Sequence, residues 1–169
     1  MADIKRAYAA SVNLSVAGFS AGLASSSTHV SGWESDQIDN ATSKYLDYLV
    51  SGKFTVGASP TAGEIRMWIV AKLDDNTWPG TVFDGVEGTV TTPLDDEGGT
   101  NAAAKLGAVV STDATGNQIY KVAPFSVASL FGGTCPEKFV IFVTHSTVQA
   151  LATTGNQVTI KGTYLQATA

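Results

Sequence analysis

The side chains that could carry chemistry in this sequence are two histidines, one cysteine and a few clustered acids. His29 and His145 are the only imidazoles. A Ser/His/Asp hydrolase would have to use one of them as its base. Neither is placed by a motif, because the chain has no G-x-S-x-G elbow that would set a nucleophile beside it. The expectation is that His29 lies in a loop and His145 ends a strand. Cys135 with His145 would make a thiol/imidazole pair, but Gly132–Gly133–Thr134–Cys135–Pro136 reads as a turn with nothing nearby to lower the thiol pKa. A structural cysteine is expected. Asp74–Asp75 and Asp95–Asp96–Glu97 offer the oxygen ligands that calcium prefers. They lack the alternating D-x-D-x-D-G spacing and read as solvated acidic loops. With no phosphate-cradling glycine motif, zinc spacing or nucleotide fingerprint, no catalytic residue, metal ligand or cofactor is expected, and the chain is not read as an enzyme.

A second kind of chemistry is adhesion. Trp33 and Trp78 stand near turn signals and could stack on sugar rings, whereas Trp68 lies in a strand-like run. Large aromatics are typical anchors of protein interfaces. The residues expected at an interface are Ile4 and Tyr8 in the N-terminal segment, with Trp33, Trp68 and Trp78. Asn13–Leu14–Ser15 and Asn40–Ala41–Thr42 match the glycosylation sequon, which means little without a secretion signal.

The elements that must position these residues are strands. Of 169 residues, 44% are hydrophobic, enough for a packed core, and only 15% are charged, against ~25% in an average soluble protein. That balance argues against both disorder and a coiled coil. The formal charge is −5, and Arg6 and Arg66 are the only arginines, so nucleic-acid binding has no basic face to rest on. One cysteine allows no internal disulfide and no thiolate zinc site. The run Ala7–Trp33 is uncharged but too rich in serine for a membrane span. Asn13 and Ser15 also interrupt any signal-peptide core. The chain has 20 Thr and 17 Val, which favour strands, and 17 Gly and 15 Ser, which favour turns.

The spacing predicts a strand over 11–18, a short strand near Val30, and a hairpin in which Tyr45–Gly57 and Glu64–Leu73 flank Ala58–Gly63. Gly52 marks a possible bulge. Strands are also expected near 86–92 and over Ile119–Ala123, the latter stopped by Pro124. Residues 102–110 read equally as helix or strand, and 125–131 as one helical turn. Glu137–His145 is apolar on both faces and reads as a central strand. Gln157–Gln166 alternates and reads as the last strand. The sum is an all-β antiparallel sandwich or barrel of about 7–9 strands with at most one or two helical turns. One domain spans 1–169, with 1–10 as a possible N-terminal arm.

The stretches DYLVSGKFTVGASPTAGEIRMWIVAKLDD, DNTWPGTVFDG and APFSVASLFGGTCPEKFVIFVTH, about a third of the chain, resemble tailed-bacteriophage virion proteins. Their characteristic parts are Ser51–Ile65, Asp75–Pro79 and, most specific, Phe125–His145. The resemblance is to small jelly-roll-like capsid decoration (cement) proteins. It implies a non-enzymatic subunit on the outer surface of an icosahedral head, bridging neighbouring major capsid proteins and self-associating as a dimer or trimer. It supplies no catalytic residues. A carbohydrate-binding β-sandwich in a tail or host-adhesion structure, and a small hydrolase on a β-scaffold, are the competing expectations.

Overall fold

A computed structural model describes residues 3–90 and 103–168. Eleven strands are assigned among them. In chain order these are β1 Asp3–Tyr8, β2 Val12–Asn13, β3 Gly32–Glu34, β4 Ile38–Asp39, β5 Asp47–Thr55, β6 Gly63–Ala71, β7 Gly88–Val90, β8 Lys105–Thr112, β9 Ile119–Ser126, β10 Lys138–His145 and β11 Gln157–Thr168. Two one-turn helices join them: α1, Asn40–Ser43, capped by Asp39, and α2, Val127–Leu130, capped by Ser126.

The strands form two antiparallel sheets. One runs β1-β11-β5-β9, with β2 also on β11; the other runs β7-β3-β10-β6-β8, with β4 also on β10. Merge β1 with β2 and β3 with β4, set β7 aside, and eight elements remain. Their order is first–eighth–third–sixth in one sheet and second–seventh–fourth–fifth in the other. That is the jelly-roll order of a two-sheet sandwich. We call the sheet holding β1 and β11 the terminal sheet and the other the buried sheet.

Alternation decides which face of each strand meets the core. In β5, Tyr48, Val50 and Phe54 point inward; in β6, Ile65, Met67 and Ile69 do; in β10, Phe139, Ile141 and Val143 do. All are essentially inaccessible. The buried sheet is also covered on its outer side. There Val70, Val140 and Phe142 meet Phe83 and Val90, with Trp68, Trp78 and Val82 packed alongside. The segment between β6 and β7 therefore acts as a third layer, which is why β10 is apolar on both faces.

The expected hairpin does not form. β5 pairs with β11 and β9, while β6 pairs with β10 and β8. The connection over 56–62 crosses from one sheet to the other, so the two strands face each other through the core instead of sharing hydrogen bonds. Period-2 patterning specifies which side of a strand is buried, but not its neighbour.

Pro124 does not stop β9. That strand is an edge, and between the pairs Val50–Phe125 and Gly52–Val122 two residues, Ala123 and Pro124, oppose one. A bulge on an edge strand is where a missing N–H is tolerated. The bulge lies beside Gly52, as its position suggests. Residues 11–18 hold only the two-residue β2, with Val12 exposed. The ambiguous 102–110 stretch contributes β8. Residues 1–10 form no free arm where described, because β1 is zipped to β11 from Asp3–Thr168 to Tyr8–Thr163.

Candidate functional site

Both histidines are interior structural groups. His145 is fully buried; its Nε2 donates to the Leu23 carbonyl at 2.8 Å and its Nδ1 lies 3.0 Å from Thr147 Oγ1. His29 places Nδ1 3.0 Å from Thr144 Oγ1. Burial holds both imidazoles below their usual pKa, with Arg66 adding to the effect on His29. Cys135 precedes β10 and His145 ends it, and the strand between them spans about 23 Å at 3.3 Å per residue. No thiol/imidazole pair forms. Burial, with Asp47 nearby, pushes the Cys135 thiol up to about 12, the opposite of an activated nucleophile.

The acidic turn at Asp74 is a self-contained structure. Asp74 Oδ1 accepts from Asn76 N at 2.8 Å and Thr77 N at 2.7 Å, and these bonds hold its carboxyl below the usual range. Asp95–Glu97 lies outside the described residues. Among the described residues no group of three or more His, Cys, Asp or Glu is placed to hold a metal. Asn40 of the second sequon is buried and clasps Tyr45 through both its amide atoms, at 2.9 Å each.

The five residues expected at an interface separate into three environments. Trp33 is fully buried between Phe19, 5.3 Å away, and the core, with Nε1 donating to Glu87. It offers no surface to a partner or a sugar, because β3 lies between β7 and β10 with Trp33 on its inward side. Trp68 is half-buried on the outer side of β6, where the third layer packs, its Nε1 3.4 Å from Thr144 Oγ1. Trp78 is half-buried in the third layer, and the Lys72 ammonium sits 5.0 Å over its ring. Ile4 and Tyr8, in contrast, are 69% and 53% exposed.

Ile4 and Tyr8 belong to the outer face of the terminal sheet. Cross-strand partners share a face, so Ile4, Arg6 and Tyr8 align with Ala167, Leu165 and Thr163. The same alternation continues through Lys161 and Thr159 of β11, Leu49, Ser51 and Lys53 of β5, and Lys121 of β9. The Lys161 ammonium lies 5.4 Å over the Tyr8 ring, which ties β1 to this face. Ile4, Tyr8, Leu165 and Ile119 are exposed apolar groups upon it. Beyond Thr163, β11 has no β5 partner and pairs with β1 alone, so the two termini extend as a two-stranded ribbon.

The charge on this face is opposite to that of the molecule. It carries Arg6, Lys53, Lys121 and Lys161, four of the ten cations of a chain whose formal charge is −5. The carboxylate among its described strand residues is Asp47, which is occupied in accepting from Ala128 N at 2.7 Å. Across the molecule, Asp36, Asp84 and Glu87 gather around the turn before β7. Of the residues expected at an interface, Ile4 and Tyr8 lie on this face. The lysines were not among them, because which strands lie side by side depends on topology.

No helix among the described residues is long and apolar enough to cross a membrane. No family model, curated protein or solved structure matches this chain.

Proposed function

We propose that this chain is a non-enzymatic virion structural protein that binds the outside of a tailed-phage capsid and bridges major capsid proteins. The observation that carries the reading is the outer face of the terminal sheet, where exposed apolar side chains and four cations sit on an otherwise acidic jelly roll. Ile4, Leu165 and Tyr8 occupy adjoining cross-strand positions of β1 and β11, and adjoining exposed apolar groups usually mark an interaction site. The sequence resemblance supplies the capsid as the partner. The strand order is that of a jelly roll, a fold that viral capsid domains share with lectins and cupins.

Adhesion alone suffices for the function. A subunit that binds the assembled shell and not its disassembled proteins stabilises the shell by mass action. If each subunit touches two capsid proteins, the second contact is made at high effective concentration. The β1 edge, unpaired on its outer side among the described residues, is a natural place for a second copy to add a strand on the lattice.

Undecorated heads mixed with the purified protein test this directly, with genome release followed by a DNA-binding dye during heating. Release is expected at a higher temperature once the protein is bound, and the gain should shrink for Tyr8→Ala. Bound protein with an unchanged release temperature would remove the stabilising role. Absence of binding would remove the decoration reading itself.

A further inference from the structure

Lys53 of β5 and Lys121 of β9 are direct cross-strand partners on the outer face of the terminal sheet. Like charges opposite each other in an antiparallel pair destabilise it. Neither lysine side chain has an ion pair or hydrogen bond among the described residues. Beside them the β9 bulge opens a groove of about 420 Å³, lined by Ser51, Ala123, Pro124 and Thr159 as well as the two lysines. Its β11 wall is braced: Thr159 Oγ1 donates to Asn13 Oδ1 at 2.9 Å, and Gln157 Nε2 donates to the same oxygen at 2.7 Å. Pro124 sits in the bulge of the edge strand, which discourages a partner from adding a strand along β9. An occupant therefore lies across the face.

We propose that this groove is the subsite for an acidic, extended segment of the capsid partner, with an Asp or Glu carboxylate held between Lys53 and Lys121. This rests on the decoration reading and names the chemistry of its partner. A carboxylate there makes two charge-assisted hydrogen bonds and relieves the repulsion between the lysines. The apolar floor of Val122, Ala123 and Pro124 takes the segment's aliphatic portions. Attraction by opposite charge also predicts binding that weakens as salt rises.

Two measurements test the subsite. In the first, a hexaglutamate peptide is titrated into the isolated protein while backbone amide shifts are recorded. Saturable shifts confined to residues near 51–53, 121–124 and 157–159 are expected. No shifts, or equal shifts beside every exposed lysine, would overturn the proposal. In the second, binding to undecorated heads is compared for the native protein, Lys121→Glu, and Lys53→Glu with Lys121→Glu. Lys121→Glu creates an opposite-charge pair with Lys53, so its melting temperature should hold or rise while head binding weakens about tenfold. Undiminished head binding by both variants would sink the subsite and leave the decoration reading standing. If the native protein fails to bind heads, the decoration reading falls, and the peptide titration alone judges the groove.

Discussion

Trp33→Ala is expected to lower folding stability by about 3–5 kcal/mol, the range for truncating a fully buried large aromatic. For a domain of this size, each kcal/mol moves the melting temperature by roughly 2–4 °C, so a drop of 6 °C or more should be visible by calorimetry. The cost has two sources. The indole packs against Phe19 inside the main core, and its removal leaves a cavity that the two sheets cannot fully close. Its Nε1 also shares Glu87 Oε1 with the Gly18 amide, a link between β3, the Ala17–Phe19 turn and the segment before β7. Gly32, immediately before it, cannot substitute any of this packing. A side chain at Gly32 would run into the Val143 carbonyl of β10. Tyr8→Ala is the matching control. Tyr8 is more than half exposed, and exposed substitutions of this kind cost within about 0.5 kcal/mol. A Trp33→Ala protein that melts like the native one would contradict the packing described above.

The second large effect is a pH dependence centred on Glu34. This carboxyl is 2% exposed, beneath the third layer, and accepts from Gly85 N at 2.8 Å. Burial pushes its pKa up from 4.5 to about 7, with Asp84 adding to the rise and the Gly85 bond opposing it. A raised folded-state pKa means the native protein holds this proton more tightly than the unfolded chain does. The contribution is therefore fully present below about 4.5 and is lost as pH climbs through about 7. At 1.36 kcal/mol per pKa unit it amounts to about 3 kcal/mol.

Glu34→Gln keeps an oxygen for Gly85 and removes the charge. It should be more stable than the native protein at pH 8, with the difference shrinking towards zero near pH 4. Denaturant unfolding of both proteins at several pH values gives that difference curve. His29 and His145 act in the opposite direction. Their depressed pKa values make the native state lose stability as pH falls below about 6.5, but they are common to both proteins and cancel in the difference. Parallel stability curves for the two proteins would show that Glu34 is not the titrating group.

Sequence legibility followed the range of the interactions involved. The fold class was readable from Thr, Val and Gly content and from alternation. β10 and β11 fell where their patterns placed them, and the helical turn Val127–Leu130 lies within the 125–131 stretch read as one. Strand partners were not readable. Tyr45–Gly57 and Glu64–Leu73 alternate as hairpin strands do, yet lie in different sheets, because their connection is long enough to cross the sandwich.

The residues expected at an interface divide for the same reason. Ile4 and Tyr8 stand out locally as large apolar residues in a polar terminal segment. Trp33 looks identical by type but is enclosed by segments distant in sequence, β10, Phe19 and Glu87. The basic face is assembled from four strands, none of which carries a basic run of its own beyond Lys5–Arg6. Net charge alone pointed away from any cationic surface. What matters for docking is that four cations converge on one face, and that convergence exists only once β1, β11, β5 and β9 lie side by side.

Cryo-electron microscopy of the intact virion tests the central claim most directly. The account predicts jelly-roll density at regular positions over the capsid lattice, with Lys53, Lys121 and Tyr8 turned towards the shell and the third layer turned towards solvent. Density confined to the tail, its absence from the particle, or lattice density with the terminal sheet facing outward would contradict it.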